Sequence, residues 1–86
     1  MIGEETIRAI HAEALRQDVK WGITDHPPEW WMIILMEEVG ELCESVLAFH
    51  FGKDLHSTHS QDMRTEAIQA AAVLGQFIEC LKRLGI

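Results

Sequence analysis

The apolar residues of this chain recur at helical spacing in three segments, which predicts three α-helices. The segments are residues 4–20, 28–50 and 63–84. Gly22 is suited to end the first helix, and Pro28 to begin the second, because the first turn of a helix leaves its N–H groups unpaired and proline has none to lose. The apolar stripe of the third helix consists of Met63, Ala67, Ala70, Leu74, Phe77, Ile78 and Leu81.

This pattern predicts an all-α fold in a single domain, residues 1–86. Three helices do not by themselves enclose a core around two long apolar stripes, and little within the chain covers Leu81 and Leu84 at the end of the third helix. We therefore expect an antiparallel helical bundle that is completed by oligomerisation, as a homodimer or a homotetramer in which neighbouring chains complete four-helix packing.

Composition and charge exclude several classes of partner. The formal net charge is −7 and the sequence pI is about 5.0, so electrostatics oppose binding to nucleic acid and to anionic lipid. No apolar run is long enough to span a membrane, and the first residues lack the features of a secretion signal, so we expect a cytoplasmic protein. Cys43 and Cys80 have no metal-binding spacing, which predicts two reduced thiols.

Four carboxylates lie within eight residues of the second helix, on one side of it: Glu37, Glu38, Glu41 and Glu44. Like charges at this spacing repel each other by about 0.2–0.5 kcal/mol per pair on an exposed helix. A hard divalent cation would turn the repulsion into an attraction, because such cations bind carboxylate oxygens. The alternative interpretation is an ordinary solvated acidic face.

The position of Glu66 favours the interpretation with a bound cation. On helical geometry, Glu66 projects within about 60° of the middle of the apolar stripe of the third helix. An unpaired carboxylate in that position would lose its hydration and would either take up a proton or destabilise the fold. A metal ion shared with Glu38 and Glu41 on a facing helix would satisfy all three groups. The small side chains of Ala67, Ala70 and Ala71 would let the two helices approach closely.

The order of these acidic residues resembles a known signature. Glu38-x-x-Glu41 followed by Glu66-x-x-Gln69 is similar to the E-x-x-E … E-x-x-D motif of the MazG-like all-α nucleoside triphosphate pyrophosphohydrolases, a superfamily that includes the dimeric dUTPases. The resemblance covers about residues 16–81. The segments that precede the motif also look like the short phage and bacterial members, namely Gln17-Asp18-Val19-Lys20-Trp21-Gly22, His26-Pro27 and Trp30.

The resemblance implies a MazG-like four-helix core and a Mg²⁺-dependent activity, with Mn²⁺ as the alternative metal. The reaction would cleave a nucleoside triphosphate between its α and β phosphates and release the monophosphate and pyrophosphate. Glu38, Glu41 and Glu66 would hold the metal, and Glu37 or Glu41 would accept the proton of the attacking water. Gln69 stands where the family usually has Asp, and because its amide oxygen brings no charge, it predicts weaker metal binding.

Aromatic and basic side chains lie on either side of the four carboxylates in the sequence and are candidates for binding the substrate. Trp21 and Trp30 could stack a nucleobase, whereas Trp31, in line with Leu35 and Leu42, is expected in the core. Lys20 and His26 are candidates for phosphate or base contacts, and Lys53 and Arg64 for contacts with a polyphosphate; ordinary surface roles are the alternatives. The base and the sugar are not specified by these residues.

Two other classes of function remain open on the sequence. The chain could be a catalytically weak or inactive helical dimer that binds a metal-nucleotide or a protein partner in its acidic groove. It could also be a purely structural oligomerisation module, in which case replacing Glu66 by leucine would stabilise it.

Overall fold

The protein is all-α, as the sequence predicts. The computed structural model describes residues 1–52 and 58–86, with side chains for all of these except residues 58–61. Three helices occupy this part of the chain: α1 (Glu4–Trp21), α2 (Pro28–Phe51) and α3 (Thr58–Arg83). Lys53 lies outside the described residues, and so do the side chains at the start of α3.

Glycine and proline set the helix boundaries. Gly22 follows α1 with a φ of 80°, a left-handed conformation that side chains rarely adopt, and its N–H donates to the carbonyl of Asp18 at 2.8 Å. Pro28 occupies the first turn of α2 as predicted. The helix α3 begins at Thr58, five residues before Met63, where the predicted apolar stripe starts.

The helix α3 lies in the middle of the fold, because both α1 and α2 pack against it. Within the described residues, the backbones of α1 and α2 do not approach each other. The helices α2 and α3 are antiparallel, since Trp31 near the start of α2 stacks on Phe77 near the end of α3, with ring centroids 6.0 Å apart. This arrangement leaves space between α1 and α2, with α3 as its floor.

The core is small and is centred on Trp31, whose side chain is only 5% exposed, which confirms its predicted core position. Ile34, Leu35 and Phe77 pack around it. The buried apolar residues of the described part of the chain are Trp31, Ala70, Ala72, Val73 and Cys80.

The predicted apolar stripe of α3 is wrong in part, because Ala67, Leu74 and Ile78 are exposed. The two neighbouring helices approach α3 from the side of Val73 and Cys80, next to that stripe, so only half of the stripe is covered. A similar offset affects α2, where Cys43 and Val46 are exposed although Leu35 and Leu42, on the same side of the helix, are partly buried.

The connection between α1 and α2 is fixed to the C-terminal end of α3. Arg83 donates to the Asp25 carboxylate at 2.8 Å and to the carbonyl of Thr24 at 3.2 Å. The thiol of Cys80 donates to the carbonyl of His26 at 3.7 Å, and both cysteines are free. These contacts hold His26 beside Trp31. None of the described helices is long and apolar enough to cross a membrane.

Candidate functional site

Three carboxylates from two helices converge at one place between α2 and α3. Glu38 and Glu41, one turn apart on α2, and Glu66 on α3 each contribute a carboxylate oxygen, and these three oxygens lie within 4.8 Å of one another. Glu38 and Glu66 are half-buried, whereas Glu41 is exposed at the rim. We call these three residues the acidic cluster. The antiparallel packing of α2 on α3 brings it together from positions that are 25 residues apart or more in the sequence.

The acidic cluster is poorly hydrated for a group of charges. Loss of hydration raises the pKa of Glu38, and the neighbouring charges of Glu41 and Glu66 raise it further. The pKa of Glu66 is raised by the same causes, first by loss of hydration and then by the charge and the close carboxyl group of Glu41. Each of these two residues also has one carboxylate oxygen, Oε2, that is shielded from solvent without a hydrogen-bond partner among the described residues.

The donor set of the cluster fits a hard divalent cation. Such ions take oxygen ligands, and Mg²⁺ in particular combines a few carboxylates with water and phosphate oxygens. Two shielded acceptor oxygens that face a third carboxylate need either protons or a positive charge, because a buried unpaired acceptor is costly. Gln69, one turn along α3 from Glu66, could add a neutral oxygen from the same helix face.

A groove of about 490 Å³ begins beside the acidic cluster and runs between α1 and α2 over α3. We call it the α1–α2 groove. Residues from all three helices and from the α1–α2 connection line it: Arg16, Gln17, Lys20, Trp21, Gly22, Thr24, His26, Trp31, Ile34, Glu37, Glu38, Gln69, Val73 and Gln76.

Six of the candidate site residues predicted from the sequence line this groove: Lys20, Trp21, His26, Glu37, Glu38 and Gln69. Trp21 is 71% exposed, and the Lys20 ammonium lies over its indole, 4.9 Å from the ring centroid. The His26 ring contacts the edge of the Trp31 ring, with centroids 5.2 Å apart, and so faces the groove from the end where the α1–α2 connection closes it.

Two other sequence candidates lie outside the groove lining. Trp30 stacks on His26, with ring centroids 5.8 Å apart, and is 57% exposed. Arg64 is exposed on α3. Glu44 is exposed as well, but its charge contributes to the raised pKa of Glu66, so it lies close to the acidic cluster.

Arg16 and Gln17 line the α1 wall of the groove and are not among the site candidates predicted from the sequence, although Lys20 and Trp21 on the same helix are. Arg16 donates to both carboxylate oxygens of Glu13, at 2.9 and 2.7 Å, and Gln17 donates to the same carboxylate at 2.8 Å. The hydrogen bond to Glu13 raises the pKa of Arg16, and the charge of Glu38 adds to this effect. The position of Arg16 and Gln17 was predictable from helical spacing, because residues 13, 16, 17 and 20 lie on one side of a helix, the side that also carries the predicted Lys20.

A second cavity, of about 510 Å³, lies on the other side of α1 and α3. Most of its lining is apolar, including Ile7, Ile10, Leu15 and Ile23. It is slightly larger than the α1–α2 groove, but no residue of the acidic cluster lines it. The groove is therefore the better candidate for the functional site.

Comparisons of this chain with models of known protein families, with curated proteins and with solved structures find no match.

Proposed function

We propose that the protein is a Mg²⁺-dependent nucleoside triphosphate pyrophosphohydrolase, which cleaves its substrate between the α and β phosphates. One observation carries the proposal: Glu38, Glu41 and Glu66 converge in a poorly hydrated spot at the edge of a groove that also presents a lysine, an arginine and an exposed tryptophan. A polyphosphate bound through a cation, together with a base on an aromatic ring, matches that combination of groups.

Each wall of the groove has a separate task in this proposal. Glu38, Glu41 and Glu66 would hold Mg²⁺ or Mn²⁺, with Gln69 as a neutral member. When bound, the metal would neutralise phosphate charge and make a water molecule more acidic. Lys20 and Arg16 would bind phosphate oxygens from α1, on the side opposite Glu38.

The proton of the attacking water requires an acceptor beside the cluster. Glu37 and Glu41 are both exposed carboxylates next to Glu38 on α2, and Glu37 lines the groove. Either residue would take up the proton, as general bases do when they lie within hydrogen-bond reach of the nucleophile. Trp21 would stack the base at the α1 wall, where its face is exposed.

The proposal includes a helical bundle completed by a second copy of the chain, in the manner of the MazG-like fold, acting in the cytoplasm. The outward side of α2 carries exposed apolar residues, including Met32, Ile33 and Met36, at 41, 61 and 63% exposure. A second copy that packs there would remove these side chains from water.

The test is a panel of canonical and modified nucleoside triphosphates incubated with Mg²⁺ and assayed for pyrophosphate. We expect release from at least one of them, and a loss of about a hundredfold or more in kcat/KM for Glu66→Gln and for Glu38→Gln. Glu79→Gln is the matched control, because Glu79 is an exposed glutamate of α3 paired with Lys82 at 2.8 Å, outside the groove. Activity that survives both cluster substitutions would rule out the acidic cluster as the site of this function, and release from none of the substrates would rule out the function itself.

The second candidate is a binding module without catalytic activity, and Gln69 favours it. A neutral amide in place of a fourth carboxylate lowers the charge available to a metal in the groove. If wild-type protein releases no pyrophosphate and Gln69→Asp does, the chain has lost an activity and retains the groove for binding a metal-nucleotide or a protein partner.

A further inference from the structure

We propose that the α1–α2 groove selects bases that carry an exocyclic amino group at the position opposite the sugar, as cytosine and adenine do, over bases with a carbonyl there. This inference deepens the proposed function and rests on it. It comes from the two glutamines of the groove, Gln17 and Gln76, whose amide groups are already oriented by their neighbours.

Gln76 is held by two acceptors on α1. Its Nε2 donates to the Asp18 carboxylate at 3.0 Å and to the carbonyl of Ala14 at 3.5 Å. Both partners can only accept, so the nitrogen of the amide must face them and the oxygen must face away. Ala14 and Asp18 line the second cavity, whereas Gln76 lines both that cavity and the groove. The carbonyl oxygen of Gln76 is therefore the polar atom left for a ligand in the groove.

Gln17 is oriented in the same way. Its Nε2 donates to the Glu13 carboxylate at 2.8 Å, which leaves its carbonyl oxygen for the groove that it also lines. Two glutamines thus offer acceptors, and neither can rotate its amide without losing a hydrogen bond to a carboxylate.

The position of Gln76 suits the base rather than the phosphates. Ten residues of α3, about 15 Å along the helix axis, separate it from Glu66, which leaves room for a sugar between the acidic cluster and Gln76. Trp21, which lines the same groove from the α1 wall, provides the aromatic face for stacking. The polyphosphate would lie at the acidic cluster and the edge of the base at Gln76.

An acceptor in this place discriminates by chemistry. The amino group of cytosine or adenine donates hydrogens, whereas the carbonyl of uracil, thymine or hypoxanthine at the same position only accepts. Two acceptors facing each other lose a hydrogen bond and leave both groups desolvated and unpaired. We expect at least about a tenfold preference for the amino base, which is the lower range for a mismatched polar contact.

The experiment uses two substrate pairs that differ only at this position, dCTP with dUTP and dATP with dITP. With Mg²⁺, kcat/KM for pyrophosphate release should favour dCTP and dATP by at least about tenfold. The variant Gln76→Met, which keeps the length of the side chain but removes its acceptor, should lower each ratio towards one. Lys82→Met, an exposed substitution on α3 outside the groove, should keep the ratios of the wild type.

A binding measurement without metal separates this inference from the proposed function, and it covers the case in which Gln76→Met does not fold. In an NMR titration of the wild type, the indole N–H resonance of Trp21, assigned with Trp21→Phe, should report tighter binding of dCMP than of dUMP, by about fivefold or more. If all four triphosphates are cleaved with equal kcat/KM, the inference is wrong and the function stands. If none is cleaved but dCMP binds more tightly, the function is wrong and the inference stands. Equal binding of the two monophosphates, without cleavage, overturns both.

Discussion

At the scale of single residues, Glu66 completes the acidic cluster beside the groove. Its carboxylate is half-buried on α3 and meets Glu38 and Glu41 from α2, all within 4.8 Å. The nearest arginine of the groove, Arg16, already donates two hydrogen bonds to Glu13. The charge of the acidic cluster is thus left largely uncompensated by the described part of the chain, and protons or a cation must supply the compensation.

Thermal stability should therefore respond to Mg²⁺. A ligand that binds only the folded state at ten times its Kd stabilises by about 1.4 kcal/mol, which for a chain of this size raises Tm by on the order of 5–10 °C. We expect this rise in the wild type and its disappearance in Glu66→Gln, measured by circular dichroism melts with and without Mg²⁺. Glu79→Gln should respond as the wild type does.

The Glu66→Leu variant separates the metal site from a purely structural role. Without metal, leucine should raise Tm, because it removes a poorly hydrated charge and adds apolar burial. In saturating Mg²⁺, the wild type should recover most of that difference. A wild type that gains nothing from Mg²⁺ or Mn²⁺, beside a more stable Glu66→Leu, would support the structural oligomerisation module.

The raised pKa values of Glu38 and Glu66 also predict how stability depends on pH without metal. Between the usual glutamate pKa, about 4.3, and the raised values, the folded state binds more protons than the unfolded state. The free energy of unfolding therefore falls as pH rises through this window, and below it the contribution is fully present. Urea titrations across this range should show the fall in wild type and a smaller one in Glu66→Gln. A stability that increases with pH across the window would contradict the structure.

At the scale of elements, α3 depends on small residues to accept α1. Ala72 is fully buried and lines the second cavity together with residues of α1, whereas Ala67, on the same helix, is exposed. Ala72→Leu should cost about 1–3 kcal/mol through overpacking. Ala67→Leu is the control, since leucine and alanine differ little in helix propensity. Equal melting temperatures for the two variants would mean that α1 does not pack where the structure places it.

The sequence predicts the helices better than it predicts their faces. Apolar spacing, Gly22 and Pro28 give three helices with boundaries close to those observed, because these are local signals. Which side of α3 is covered depends on where α1 and α2 attach. Polar contacts such as the hydrogen bond of Gln76 to Asp18 contribute to that attachment, and the spacing of apolar residues does not predict them.

The sequence predicts only part of the candidate site. Glu38, Glu41 and Glu66 stand out because a carboxylate near an apolar stripe needs a partner, and the antiparallel packing of α2 and α3 brings them together. The α1 wall, with Arg16 and Gln17, has no such conflict with its surroundings. Its residues look like those of any polar helix face until α1 is placed beside the groove.

At the scale of the whole molecule, the single chain leaves much apolar surface in water. The described part of the chain buries only a few apolar side chains, and the molecule is elongated, at 48 × 28 × 26 Å. Exposed apolar residues gather on the side of α2 that faces away from α3, at Met32, Ile33, Met36 and Leu47. Successive members are one, three and eleven residues apart, so at about 100° per residue all four lie on one side of α2. This is the arrangement of a helix face that packs on another helix.

Self-association through this stripe predicts a specific effect of charge. In Ile33→Lys/Met36→Lys, two ammonium groups would have to be buried in the interface, which costs far more than the apolar contacts return. Sedimentation velocity should show the wild type as a dimer or tetramer and this variant as a monomer at the same concentration. Val19→Lys, at a position of α1 that is 82% exposed and outside the stripe, should leave the oligomer intact. A wild type that sediments as a monomer at all concentrations would remove the second copy from the proposed fold, because the stripe would then be solvated.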